Sequence, residues 1–272
     1  MKALTKSLLA GAVLAALPMA SALACTTTAW NGGTVGATAG DPTTGVARYS
    51  GECGLKGAAA GNSHVTDNSP NGEANYRARF YVYTGTATGS PVIFQATDAD
   101  GAAGSALVQV VYDTANNQFD FTSGAAAGSA TVADNKWYSV EFYYDAGNAI
   151  TAKVQGSQAT SPSVVTFAGA PAAGTVQSAR LGIIGATTAG DTMKFDEFES
   201  TRSTTTEIGR LCRGDANGTE PVNIFDRTSI VNEILGNALG QGQPDCNEDG
   251  GVNVFDRTCI VNIILAGGAC PS

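Results

Sequence analysis

The chain is predicted to be mainly β: a two-sheet antiparallel sandwich followed by a small α-helical unit at its C-terminal end. Two observations predict the sandwich. Between residue 25 and about residue 200, short runs of alternating apolar and polar residues recur between Gly, Asn, Asp and Ser turns, and no stretch carries a helical apolar stripe. A third observation predicts the helical unit. The 21-residue segment from Asp215 to Leu235 returns thirty residues later, from Asp245 to Leu265, with 13 of 21 positions identical.

The chain opens with MKALTKSLLAGAVLAALPMASALA, in which Lys2 and Lys6 precede an apolar run that ends at Ala22-Leu23-Ala24. That is the pattern of a secretory signal peptide with a small-residue cleavage site, too short for a membrane span, so residues 1–24 are read as a leader and the protein as secreted or extracellular. The six cysteines divide into an even pair, Cys25 and Cys53, and an even set of four, Cys212, Cys246, Cys259 and Cys270. In an oxidising compartment each region can then close its own bridges, Cys25 with Cys53 and, as a clasp on the C-terminal unit, Cys212 with Cys270. A formal net charge of -9 disfavours nucleic acid and anionic membrane surfaces as partners, because both are themselves negative.

Residues 25–200 make the sandwich. In NYRARFYVYT, Tyr76, Ala78, Phe80 and Val82 share one face, and Arg77, Arg79, Tyr81 and Tyr83 share the other. Further strands are predicted at PVIFQA, SALVQVVYD, NQFDFT, KWYSVEFYYD, AITAKVQ, SARLGII and TMKFDEFES, the regular spacing of a two-sheet fold. The run from Lys136 to Asp145, then AITAKVQG, then Lys194-Phe195-Asp196-Glu197-Phe198 resembles the strand series of concanavalin A-like and laminin-G-like jelly rolls. That resemblance implies a sugar- or protein-binding sandwich and no particular activity.

Catalytic signatures are sparse in this region. The single histidine, His64, sits in a turn-like stretch with no G-x-S-x-G serine, and no strand carries the paired acids of a glycosidase. The outward stripe Arg77, Arg79, Tyr81 and Tyr83 is the expected carbohydrate contact. Tyrosine faces stack on sugar rings, and arginine forks hold hydroxyls or carboxylates. A second outward stripe, Glu141 and Tyr143, is a candidate neighbour, and Asp196 a candidate structural cation ligand.

Residues 201–211 form a Ser/Thr-rich linker, and 212–272 the repeated unit. In the second copy, oxygen-bearing groups stand at positions 1, 3, 5, 7, 9 and 12 of a loop: Asp245, Asn247, Asp249, the Gly251 carbonyl, Asn253 and Asp256, with Gly250 at the sharp turn. This is the ligand pattern of a calcium loop. The first copy keeps Asp215, Asn217, Asn223 and Asp226 but has Thr219 at position 5 and Glu220-Pro221 where the turn glycine belongs, so it is the weaker of two expected Ca2+ sites. Each loop leads into an apolar pattern at helical spacing, Ile230, Val231, Ile234 and Leu235 or Ile260, Val261, Ile264 and Leu265, which is expected to bury one helix against the other.

From Cys212 to Cys270 this loop-then-helix duplicate resembles the type I dockerin domain. The resemblance implies a cohesin-like or other surface partner contacted through loop positions 10 and 11, here Ile224, Phe225, Val254 and Phe255. The sequence thus points to a secreted, non-catalytic, calcium-binding protein that binds polysaccharide through its sandwich and docks through its C-terminal module. The alternatives are a polysaccharide lyase or glycoside hydrolase, and a structural or adhesive surface protein.

Overall fold

The computed structural model describes residues 25–33, 37–39, 47–100, 104–156, 159, 161–185 and 190–270. The segment read as a leader, residues 1–24, lies outside the described residues. Fourteen strands and two α-helices follow in chain order: β1 Gly32–Gly33, β2 Ala37–Ala39, β3 Cys53–Lys56, β4 Ser63–Asp67, β5 Asn75–Tyr83, β6 Val92–Thr97, β7 Ala106–Asp113, β8 Gln118–Ser123, β9 Ala126–Thr131, β10 Trp137–Asp145, β11 Ala149–Gly156, β12 Ser163–Val165, β13 Ser178–Ile184, β14 Lys194–Thr201, α1 Ile224–Ile234 and α2 Val254–Leu265.

The strands form two seven-stranded antiparallel sheets, ordered β1-β4-β13-β6-β7-β8-β9 and β12-β11-β10-β5-β14-β3-β2. Alternation decides which face of each strand turns inward. In β5 and β10 the pairs Phe80 and Val140, Ala78 and Phe142, and Tyr76 and Tyr144 lie in register, and all six are buried in the sandwich core. Phe80 stacks on Phe94 of the opposite sheet at 5.3 Å, and Phe94 meets Phe142 at 5.1 Å, so aromatic contacts join the two layers. Every long strand read from the sequence is present. Short strands such as β9, sequence AAGSAT, were missed because they lack large apolar residues to mark a period.

The C-terminal unit has its own core of Cys212, Ala216, Val222, Ile230, Cys246, Ile260 and Ile263. Three disulfides are present, Cys25–Cys53, Cys212–Cys270 and Cys246–Cys259, and no described cysteine is free. The two helices do pack on each other, through only part of the expected stripes: Ile230 and Ile260 are core residues and Ile264 packs against that core. Ile230 with Glu233, and Ile260 with Ile263, are the buried pairs, whereas Leu235 and Leu265 are 67% and 81% exposed. No helix of the described residues is long and apolar enough to cross a membrane.

Candidate functional site

The sheet built around β5 and β10 carries ordered rows of polar and aromatic side chains on its outer face, because strand register aligns them. Across β5, β10 and β11 the rows are Arg77, Tyr143 and Thr151; Arg79, Glu141 and Lys153; and Tyr81, Ser139 and Gln155; Tyr83 lies beside Trp137. Arg77 binds Glu141 at 2.9 Å and sits over the Tyr143 ring at 4.9 Å, while Arg79 reaches Glu199 of β14 at 3.1 Å. The two stripes read from the sequence therefore do lie side by side.

They are not open to solvent, which corrects the expectation for Arg77, Arg79, Tyr81 and Tyr83. Arg77 and Arg79 are 8% and 3% exposed, Tyr81 is fully buried and Tyr83 is partly buried. The segment read as a free linker is strapped across them. Ile208 and Gly209 donate backbone N–H bonds to the Glu141 carboxylate at 3.1 and 2.9 Å, Arg79 donates to the Gly209 carbonyl, and Leu211 N–H donates to the Tyr81 hydroxyl at 2.8 Å.

Beyond the strap, the second repeat loop itself sits on the sheet. Tyr49 stacks on Tyr81 at 3.7 Å, meets Trp137 edge-on, and donates its hydroxyl to the Glu248 carboxylate at 2.5 Å. Arg210 also pairs with Glu248. Three loop carbonyls are held from below: Glu248 by the Trp137 backbone N–H, Asp249 by the Tyr83 hydroxyl, and Gly250 by Lys194 Nζ at 3.0 Å. A Cβ on Gly250 would overlap the Tyr83 ring, so glycine is required by the close approach as well as by the turn. From the first repeat, Glu233 forms a buried ion pair with Arg48. Burial first, and then the Glu248 charge, raises the Tyr49 hydroxyl well above its ordinary pKa, so it stays a donor.

A groove of about 610 Å³ remains open where this cover meets the sheet. Glu141, Lys153 and Gln155 come from the sheet, Glu207 and Arg210 from the strap, and Glu220 from the first repeat loop. Lys153 and Glu207 pair across it at 2.5 Å, both partly exposed. Sequence reasoning missed Tyr49, Trp137, Arg210, Glu233 and Glu248. Glu248 and Glu233 alone left a signal, since they stand where the other copy has Gly218 and Ile263.

The two repeat loops share one hydrogen-bond scheme. Asp215 accepts from the N–H groups of Thr219 and Glu220, and Asp245 accepts from those of Asp249 and Gly250. Asp226 accepts from Asn217 and Asn223, and Asp256 from Asn247 and Asn253. Asn223 and Asn253 are the N-caps of α1 and α2, and Asp226 and Asp256 close the capping boxes, so residues read as cation ligands also start the helices. Glu220 serves loop 1 through its backbone; its carboxylate lies with the Cys212–Cys270 disulfide, the one group of three such donors within 4.8 Å among the described residues, and bonded cysteines make that no metal centre. Desolvation, and then the charge of Asp256, raises Asp245 well above the carboxylate range, and desolvation lifts Asp256 to about 6. Asp196, read as a cation candidate, instead accepts backbone N–H bonds from Tyr49, Ser50 and Glu197. Ile224, Phe225, Val254 and Phe255 are all more than half exposed and take no part in the small core.

No family model and no curated protein matches the chain. Among solved structures it is similar to a cellulose-induced protein, Cip1, with 16% identity over 67% of this chain and 90% of that one at a TM-score of 0.44. It is similar too to an endo-β-1,4-glucuronan lyase from Trichoderma reesei, with 14% identity over 65% and 93% at 0.43, and to the VIP36 lumenal domain, with 10% identity over 57% and 80% at 0.38. The class is set by the chain's own topology, an antiparallel two-sheet sandwich consistent with a jelly roll. Similar structures include a lyase beside a VIP36 domain in a Ca2+/Man2-bound form, and against that finding the expectation of a non-catalytic chain that docks to a cohesin is withdrawn. The expected open sugar face fails with it, because the chain's own C-terminal unit already lies there.

Proposed function

We propose that the chain is a secreted, polysaccharide-directed jelly-roll protein that engages an acidic glycan in the groove between the sheet and the strap. The carrying observation is the composition of that groove, in which Lys153 and Gln155 can hold carboxylate or hydroxyl groups on a wall built from paired β-strands, while Arg210 at its edge is held by Glu248. Cleavage of the bound glycan is the second reading. It is favoured by Glu141 and Glu207 flanking Lys153, which supplies two carboxylates and a cation at one site. The three disulfides suit an oxidising compartment, and the leader read at residues 1–24 supports export.

The test is affinity electrophoresis on soluble polyuronate and on a neutral β-glucan, with products followed by new reducing ends and by absorbance of unsaturated uronates. Retarded migration on polyuronate that is lost in Lys153→Ala is expected; equal migration of parent and Lys153→Ala overturns the groove as the site. Reducing ends or unsaturated products that disappear in Glu207→Gln place cleavage there.

We also propose that the repeat loops take Ca2+, the second more tightly. The donors are all oxygen, and in loop 2 burial raises both Asp245 and Asp256, with the charges of Asp256 and Asp249 raising Asp245 further, a charge arrangement that a divalent cation relieves. Each carboxylate oxygen carries more than one lone pair, so capping a helix and ligating a cation are compatible.

A further inference from the structure

We propose that the C-terminal repeat is a resident cover on the outer face of the β5–β10 sheet of its own sandwich, locked by Glu248, and that the aromatic platform of Tyr49, Tyr83 and Trp137 takes pyranose rings when the cover lifts. The platform extends the glycan reading above and rests on it; the cover does not. Three observations carry the inference.

The two repeats diverge where they meet the sheet. Gly218 in the first copy becomes Glu248 in the second, and Ile263 in the second corresponds to Glu233 in the first; Glu248 and Glu233 are fully buried, and each pairs with an arginine on or strapped to the sandwich. Gly218 and Glu248 both have left-handed backbone, at φ 73° and 55°. Glycine adopts that conformation freely, whereas a glutamate there is strained, so the second copy keeps an unfavourable backbone in order to present this carboxylate to Tyr49 and Arg210.

The joint is polar while each side has its own core. The sandwich core and the core of the C-terminal unit share no residue, and two of the disulfides lie wholly within the C-terminal unit. Between them stand ion pairs, bonds to loop carbonyls and the small cluster of Tyr49, Tyr81 and Trp137 with Tyr83 and Leu211. Interfaces of this kind part without unfolding either side. What parting exposes is a group of tilted aromatic rings: Tyr49, stacked over Tyr81, with Trp137 at 66° to it and Tyr83 at 56° to Trp137, in line with Ser139, and such rings are the surface chemistry that stacks on sugars.

Trp137 reports the cover directly, because it is 1% exposed beneath Glu248 and the chain has only two tryptophans. In the full chain carrying Trp30→Phe, acrylamide quenching of Trp137 and electrophoresis on soluble polyuronate and neutral β-glucan are compared for the parent, for Glu248→Ala and for Glu248→Ala with Glu233→Ala, with circular dichroism checking the sheets. The double variant should quench several-fold more steeply and bind at least one of the two glycans about tenfold more tightly, since a closed fraction lowers apparent affinity in proportion. A folded double variant in which Trp137 stays shielded overturns the cover. Increased quenching with unchanged affinity for both glycans overturns the platform and leaves the cover standing. Loss of groove binding in Lys153→Ala is a separate readout that bears only on the groove. Should the double variant lose its sheet signal, Glu248→Gln, which keeps the volume and removes the charge, carries the test through the same two measurements, and no change in either overturns the proposal.

Discussion

Truncating Glu233 should be the most disruptive single change at the joint between the C-terminal unit and the sandwich. Its carboxylate is fully buried, paired with a guanidinium that is itself 5% exposed, and also accepts the Gly240 N–H at 2.7 Å. Glu233→Ala strands a cation that cannot deprotonate, and breaking a buried pair from one side costs about 3–5 kcal/mol. The unmet Gly240 donor adds about 1–3 kcal/mol if it stays buried. Arg48 keeps the carbonyls of Gly51 at 2.5 Å and Gly240 at 3.2 Å, which offsets part of this, so a net loss of about 3–5 kcal/mol is expected. The assay is urea unfolding of the full chain followed by Trp137 emission and by far-ultraviolet circular dichroism, since two cores need not melt together. Emission should change at lower urea than the sheet signal in Glu233→Ala and together with it in the parent. Arg48→Met with Glu233→Leu should recover most of the loss, as apolar replacements of buried ion pairs do. The reasoning fails if each single change costs under about 1 kcal/mol, the value of an exposed pair, or if the two losses simply add.

Two further outcomes are expected. Calcium should raise the melting temperature of the parent, by an amount equivalent to about 2.7 kcal/mol at a hundredfold excess over the dissociation constant, and Asp245→Ala should remove most of that gain; identical melting in calcium and in chelator sinks the cation reading. Asp196 is pushed up to about 8 by desolvation and by Glu197, against the N–H bonds from Tyr49 and Ser50. Because an unfolded aspartate titrates near 4, the folded chain holds an extra proton between about pH 4 and 8, and stability should fall with rising pH there by up to about 1.4 kcal/mol per unit. Asp196→Asn should flatten that slope between pH 5 and pH 8 in urea midpoints, and an unaltered slope would show the carboxyl is already ionised.

By itself the sequence determined the long strands, the repeat and the even division of the cysteines between the two regions. Period-two alternation in NYRARFYVYT states which residues face inward whatever the partner strand, and the identical residues of the two repeats announce two like loops, each opening a helix. Both signals are local, carried by residues within a few positions of one another. Only the tertiary structure decided what covers the outer face. Arg77, Arg79, Tyr81 and Tyr83 look the same in sequence whether water or a strap lies above them, because the contacts that bury them come from Gly209, Leu211 and Asp249, more than a hundred residues away. The helix stripes show the same limit. Periodicity marked Leu235 and Leu265 as apolar, yet they are exposed, since the small core closes on Ile230, Ile260 and Ile263 while Glu233, a charged residue no pattern would place inside, is buried by its pairing with Arg48.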